Sequence, residues 1–358
     1  MEPGLHKEMR ITLLIPLLLL AAACSGAPNS DYPQWRWPDK EPPEVEPAEE
    51  PYPAITAQGW TNVTASFPAM DLIQVYRSPE SIGGNKTIAY IAVASLQQVD
   101  WDVMSINDPT IQGTSDNLKT PSEWFSQTGA PVVINGGYFF SEGGKRYNAS
   151  VAVSGGVFYG VNINYASIDW ETMYYPTRGV FYQNASGTPA TGWTFWTGGA
   201  THYLYGEPAA NSWSKDPLPV PDATFPAKAS TFAPQTAIGG GPVLLKDGNV
   251  VNSWEAELFY GSGSDDKMPT DRHPRTAIGV TSDGLIILFV CEGRGMTEGV
   301  AGMTFAEEAA VLKSLGCKDA LNLDGGGSSC LLVQGAETIK VSDGTQRPVA
   351  SAVILKRK

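Results

Sequence analysis

Beyond the first 23 residues no apolar run in this chain is long, and glycine-rich turns interrupt nearly all of them. Segments 87–94, 131–134, 150–153, 242–245 and 284–290 are four to eight residues long and rich in Val, Ile and Leu. Runs of that length suit buried strands and are short for helices. Lys246-Asp247-Gly248-Asn249 and Ser282-Asp283-Gly284 read as tight turns joining neighbouring strands. Two helices stand out. Thr304-Phe305-Ala306-Glu307 is a capping box. Its helix runs to Leu315, buries Ala309, Leu312 and Leu315, and stops at Gly316. Thr120-Pro121-Ser122-Glu123 repeats the logic with proline at the first helical position, and Gly129 closes that helix. Many strands and few helices predict an α+β fold with mixed β-sheets.

Each helix feeds a similar unit. Gly129 leads into strand 131–134 and then Asn135-Gly136-Gly137; Gly316 leads into strand 320–323 and then Asp324-Gly325-Gly326-Gly327. Gln235-Thr236-Ala237-Ile238-Gly239 is echoed by Arg275-Thr276-Ala277-Ile278-Gly279. These echoes suggest a degenerate internal duplication that brings both polar-plus-glycine turns to one cleft. Between 158 and 232 helix signals fade and aromatics crowd, among them Tyr165, Trp170, Trp193, Trp196, Tyr203 and Trp213. This reads as an insertion or elaborated β layer in which most rings pack inside the sheet. Any exposed rings would offer flat platforms for sugars.

The N-terminus fixes the expected compartment. Lys7 and Arg10 precede the apolar run 11–20, which ends in Ala21-Ala22-Ala23-Cys24-Ser25-Gly26. A basic start, a short apolar stretch and small residues describe a secretory signal, residues 1–23. The run is too short to span a bilayer, which takes roughly 20 apolar residues. Cys24 sits where a bacterial lipoprotein signal places its acylated cysteine, so the expectation is a lipid-anchored protein of the bacterial cell envelope. Residues 24–53, dense in Pro and Glu, have too little apolar surface to fold and should form a tether. Residues 54–358 carry the globular domain.

Charge and cysteines narrow the partners. Removing 1–23 takes away two acids and two bases, so the mature chain keeps the formal net charge of −13. An acidic chain lacks the basic face that nucleic acid demands. A phosphate-bearing substrate needs only a few local arginines and stays open. Cys291, Cys317 and Cys330 are an odd set inside or beside apolar strands, so they read as buried free thiols. Their spacing matches no zinc pattern.

Chemistry concentrates in three strings. In Leu321-Asn322-Leu323-Asp324-Gly325-Gly326-Gly327-Ser328-Ser329 an acid ends a buried strand and three glycines follow. Such a turn permits sharp bending or close approach, and successive glycine amides can form an anion-binding nest. Asp324 beside an anion points to a general acid or a metal ligand; otherwise it simply caps local amides. Arg272-His273-Pro274-Arg275-Thr276 precedes a strand, with Arg275 placed to grip phosphate and His273 as a further base. Cys291-Glu292-Gly293-Arg294 follows a strand, putting an acid and a base at its end.

Five motifs occur in order: Asn135-Gly136-Gly137-Tyr138-Phe139, Gly240-Gly241-Pro242-Val243-Leu244-Leu245, Arg275-Thr276-Ala277-Ile278-Gly279, Glu292-Gly293-Arg294, and Asn322 through Ser329. Together they resemble the phosphodiester glycosidase family, from about residue 87 to the C-terminus with 158–232 poorly matched. The family usually carries Asp where Glu292 stands. The resemblance implies a hydrolase that cuts a glycosyl-1-phosphodiester. Asp324 and Glu292 would then be its acids, and Asn135 would orient a sugar hydroxyl or water. Arg275, Arg294, His273, Gly136, Gly240, Gly241, the Gly325–Gly327 turn and Ser328 would bind phosphate and substrate. The sequence leaves open whether the acids hold a divalent metal instead, and whether the chain is a non-catalytic surface glycan-binding lipoprotein.

Overall fold

The structure, a computed structural model, describes residues 50–68, 70–108, 112–185, 187–199, 201–259 and 269–358. The signal segment, Cys24 and the tether through residue 49 lie outside the described residues. Residues 50–358 form one compact unit. Its first residues, assigned to the tether on composition, belong to the fold. Glu50 accepts hydrogen bonds from Asn62 Nδ2 (3.2 Å) and the buried Tyr76 hydroxyl, and Pro53–Thr56 forms a helical turn. The Tyr76 hydroxyl needs a partner once its ring is buried, and Glu50 supplies one.

Three sheets enclose the main core. The largest has eight strands in the spatial order Thr61–Asn62, Ile73–Arg77, Ala89–Ser95, Leu285–Cys291, Arg275–Thr281, Cys317–Asn322, Val243–Lys246, Asn249–Val250. A five-stranded sheet runs Ala336–Glu337, Leu331–Val333, Val132–Asn135, Ser351–Arg357, Val99–Ser105. A seven-stranded sheet is built from Val157–Gly160, Ala152–Ser154, Thr236–Gly239, Arg178–Gln183, Ala190–Trp196, His202–Tyr205 and Ser230–Thr231. The class is α+β with strand predominant. The mixed sheets expected from the sequence prove, among the described residues, to be built of antiparallel ladders.

The eight-stranded sheet is covered on both faces, which explains why its strands are continuous apolar runs. Ile286, Leu288 and Val290 point into the central core with Trp101, Ile134 and Phe181. Ile287, Phe289 and Cys291 point the other way, against Ala309 and Leu312 of the helix Phe305–Ser314. Truncating the fully buried Phe289 to alanine would cost roughly 3–5 kcal/mol. Helix Pro121–Thr128 buries Trp124 against the outer face of the five-stranded sheet, beside Val133 and Leu332. Both helices begin with the capping boxes expected, at Thr120 and Thr304. Gly129 ends the first in the left-handed conformation at φ +63°.

The Lys246-Asp247-Gly248-Asn249 turn is a tight hairpin with Lys246 opposite Asn249. Asp247 and Gly248 both have positive φ, as this turn type needs. The helix–strand–glycine unit occurs twice, in two different sheets: Val132–Asn135 in the five-stranded sheet and Cys317–Asn322 in the eight-stranded one. The aromatic stretch supplies most of the seven-stranded sheet. Phe181, Trp193, Phe195 and Tyr205 are buried, while Trp170 is 78% exposed. Cys291, Cys317 and Cys330 are buried free thiols.

Candidate active site

The antiparallel register gathers the site at one sheet edge. Arg275–Thr281 lies between two strands of opposite direction, so its first residues sit beside the last residues of both. Arg275 pairs with Cys291 and Ala277 with Asn322. The turns after Cys291 and after Asn322 therefore emerge beside Arg275. The five-stranded sheet joins them through Asn135. Asn135 Nδ2 donates to the Asp324 carbonyl (2.7 Å), and the Asp324 amide donates to the Gly136 carbonyl (3.1 Å).

These turns border a cavity of about 380 Å³. Its wall carries three arginines (275, 294 and 347), one carboxylate (Asp324), His273, Tyr138 and the Gly325–Gly327 turn. Burial pushes the Asp324 carboxyl up to about 6, against the Ser328 hydrogen bond, the Arg347 charge, the Gly325 amide and the Arg294 charge. His273 is held below its ordinary range, first by burial and then by the charges of Arg275 and Arg294; Asp271 opposes this. Its Nδ1 is buried with no hydrogen-bond partner among the described residues. A neutral imidazole beside two guanidinium groups can still donate or accept a hydrogen bond.

Two of the three glycine amides are engaged within the protein. The Gly326 amide donates to the Pro274 carbonyl (2.9 Å) and the Gly325 amide bonds the Asp324 carboxyl, so these donors are already engaged. What the glycines provide is proximity. A Cβ on Gly326, whose φ is +60°, would stand 2.6 Å from Arg294 Nη2, and one on Gly327 would run into the Arg347 guanidinium. Absent side chains let two cations settle on the turn beside Asp324. Arg347 is held by Asp343 Oδ2 (2.7 Å from Nη2) and donates to Ser328 Oγ (3.4 Å). Arg294 takes the left-handed conformation, φ +56°, rare for a residue with a side chain. It donates weakly to Ser342 Oγ (3.5 Å).

Arg275 differs from these two. It is 2% exposed, its guanidinium lies over the Phe305 ring (3.9 Å to the centroid), and it donates to the Met303 (2.8 Å) and Asp271 (3.1 Å) carbonyls. Arg275, expected to grip phosphate, lies in the cavity wall with its guanidinium already held by two carbonyls and a ring.

Several expected residues lie outside the cavity. Asn135 is wholly buried beneath it; besides holding Asp324, its Oδ1 accepts from Thr276 Oγ1 (3.0 Å) and the Cys330 amide (3.1 Å). It positions the turn and does not reach the cavity. Gly136 packs against Ser351, and Gly240 against the Asn322 carbonyl. The Gly241 carbonyl accepts from the Tyr138 hydroxyl (2.9 Å) and Asn322 Nδ2 (2.7 Å), so this pair steadies Tyr138. Glu292, read as Asp324's partner acid, is 2% exposed and turned away from the cavity wall. Its Oε2 accepts from the Lys340 amide (3.1 Å), and Oε1 has no partner among the described residues.

Three contributors were missed. Tyr138 follows the Asn135-Gly136-Gly137 turn, and its aromatic type alone does not mark it as a cavity residue. Arg347 lies in an unremarkable loop, and nothing local marks it. Glu308 is wholly buried on the helix behind Arg275, with both oxygens lacking hydrogen-bond partners among the described residues. Burial pushes its carboxyl up to about 8, with the Arg275 charge opposing. Among the described residues no three His, Cys, Asp or Glu side chains converge as a metal site requires. One carboxylate among three guanidinium groups suits an anion better than a divalent cation.

The fold is a three-sheet α+β domain with a cavity lined by three arginines and one carboxylate. The phosphodiester glycosidase family model matches residues 128–356, and the chain belongs to that family. One relative, the SPbeta prophage-derived uncharacterized protein YomE of Bacillus subtilis (strain 168), is 37% identical over 84 residues; the match spans 24% of this chain and 13% of that protein. Among solved structures, the zebrafish N-acetylglucosamine-1-phosphodiester alpha-N-acetylglucosaminidase catalytic domain, auto-inhibited by its pro-peptide, aligns at a TM-score of 0.52 and 17% identity. That alignment covers 81% of this chain and 85% of that one. A hypothetical protein from Synechocystis aligns at 0.51 and 19% identity, over 80% of this chain and 62% of that one. At these identities the structural likeness concerns the fold.

Proposed function

We propose that this chain hydrolyses a glycosyl-1-phosphodiester of envelope or environmental glycans at the sugar C1–O bond. The observation that carries the reading is Asp324, a carboxyl pushed up to about 6 yet set in one cavity wall with Arg294 and Arg347. The phosphodiester sits against Arg294 and Arg347, with the fixed charge of Arg275 behind it. Asp324 takes a proton from water as the water oxygen bonds to C1. The C1–O bond breaks, and its electron pair leaves with the phosphate monoester. That leaving group is already a stable anion, so no second carboxylic acid is needed to protonate it. This accords with a cavity holding one carboxylate where glycosidases acting on ordinary glycosides use two. His273 hydrogen-bonds the sugar or phosphate oxygens, Tyr138 walls the cavity with its hydroxyl held by the Gly241 carbonyl, and Asn135 sets the position of Asp324 through the Asp324 carbonyl. Membrane attachment through acylated Cys24 places the reaction in the bacterial envelope, with residues 25–49 as a spacer.

The test is a panel of sugar-1-phosphodiesters varied in sugar and anomer, read by release of reducing sugar. At least one member should turn over, and Asp324→Asn should lower that turnover about a thousandfold. No turnover across the panel would leave the glycan-binding alternative in its place.

A further inference from the structure

Arg294 and Arg347, two of the three arginines in the cavity wall, come from segments far apart in sequence. Arg294 lies in the turn that follows strand Leu285–Cys291, and Arg347 follows the segment 338–344. Among the described residues no backbone–backbone hydrogen bond joins the two segments. Side chains make the join instead. Glu292 Oε2 accepts from the Lys340 amide (3.1 Å), and Arg294 Nη1 donates to Ser342 Oγ (3.5 Å), both at an offset of 48 residues. The two bonds are rungs between segments lying side by side. A third contact, Lys340 Nζ to the Met296 carbonyl (3.5 Å), belongs to an exposed lysine arm. Contacts at 3.5 Å are at the long limit of a hydrogen bond, so the Glu292 bond is the firm one.

From this rung the path to the cavity is short. The Gly344 amide returns to the Val341 carbonyl (3.0 Å) and closes a turn. Asp343, on that turn, holds Arg347 with one oxygen, at 2.9 Å from Nε and 2.7 Å from Nη2. Arg347 Nη1 donates onward to Ser328 Oγ (3.4 Å). A guanidinium held through two nitrogens follows the carboxylate that holds it. Moving residues 340–343 therefore moves Arg347.

Stability alone does not account for Glu292. It is 2% exposed, and one of its oxygens has no partner among the described residues. Burying a carboxyl group on a single amide costs more than that hydrogen bond returns. We propose that Glu292 is a positioning residue: it ties the segment carrying Asp343 and Arg347 to the turn carrying Arg294, and so sets the spacing at which the two guanidinium groups receive a phosphate. The effect on turnover rests on the hydrolase reading; the effect on phosphate binding does not.

The experiment measures Kd for inorganic phosphate by titration calorimetry of the full chain, and KM and kcat on the active phosphodiester. The wild type should bind phosphate at roughly millimolar Kd or tighter. Glu292→Ala should raise Kd and KM about tenfold and leave kcat within about threefold, because the arginines hold the phosphate before and during the reaction alike. Glu292→Gln keeps an acceptor oxygen at the same reach and should restore both values to near wild type. Adding Glu292→Ala to Arg347→Ala should cost little beyond Arg347→Ala alone, since both act through one group. If Glu292→Ala fails to fold, Glu292→Asp, one methylene shorter, carries the same expectation. No phosphate binding by the wild type, an unchanged Kd and KM in the shortened variant, or a fully additive double variant overturns the positioning role. So does a Glu292→Gln that loses turnover as Asp324→Asn does, which would make Glu292 a catalytic acid. The expected pattern in phosphate binding, in a chain that turns over no phosphodiester, would sink the hydrolase reading and leave the positioning role standing.

Discussion

Asp324→Asn should make the protein more stable and less active, and the stability gain should depend on pH. The carboxyl is raised from an ordinary 3.8 to about 6 by burial. A shift of about 2 units corresponds to roughly 3 kcal/mol between the protonated and ionised forms. Because the folded value lies above the unfolded one, the stability that the protonated acid contributes is complete below pH 3.8. It is lost as pH rises through about 6. Asparagine never ionises, so the variant keeps it. Part of the gain is offset because the amide replaces the carboxylate's bonds with Ser328 and the Gly325 amide, leaving about 2 kcal/mol. In a domain of this size that is a rise in Tm of roughly 4 °C. Thermal melts of both proteins should show near-equal Tm at pH 4 and the full gap at pH 8. Turnover should fall about a thousandfold, within the usual range for loss of a general base. A gap that is absent at pH 8, or equal at pH 4 and 8, would refute the claim that burial raises this carboxyl.

Arg294→Ala and Arg347→Ala should each raise KM about tenfold or more, and lysine at either position should recover part of the loss, since an ammonium lacks the paired donors of a guanidinium. Steady-state kinetics on the active panel member checks this, and an unchanged KM in both variants would remove the phosphate clamp. Glu308→Gln should raise stability at pH 7 by up to about 3 kcal/mol, because the unfolded acid ionises from about 4.5 while burial keeps the folded carboxyl protonated up to about 8. The wild type's loss begins above 4.5 and is complete above about 8, so the two melts should nearly coincide at pH 4 and the variant should melt higher at pH 8; an equal gap at both would mean that burial does not raise this carboxyl. Cys24→Ala should abolish membrane partition on cell fractionation, and retention in the membrane fraction would remove the lipid anchor.

Much of the fold was legible because its determinants are local. Capping boxes at Thr120 and Thr304, stops at Gly129 and Gly316, and the Asp247-Gly248 turn each require particular residues at fixed spacing. Asp324 was legible for a similar reason, since three successive glycines after a buried strand are costly without a purpose. Proximity across the fold was not. Glu292 follows its strand as expected, but its side chain meets the Lys340 amide instead of Asp324, and only tertiary packing decides that. Arg347 reaches the site because Gly327 leaves room for its guanidinium, a fit that neither local sequence announces. Glu308 lies in the first turn of its helix, where an acid is ordinary. Its burial against Arg275 comes from the sheet that the helix covers.

In the proposed reaction water attacks the sugar carbon while the phosphate departs from the arginine-lined cavity. Hydrolysis of an active sugar-1-phosphodiester in heavy-oxygen water, followed by phosphorus NMR of the released monoester, tests it most directly. The released phosphate monoester should be free of label, because the bond broken is C1–O. Label on phosphorus would mean attack at P–O and would contradict it.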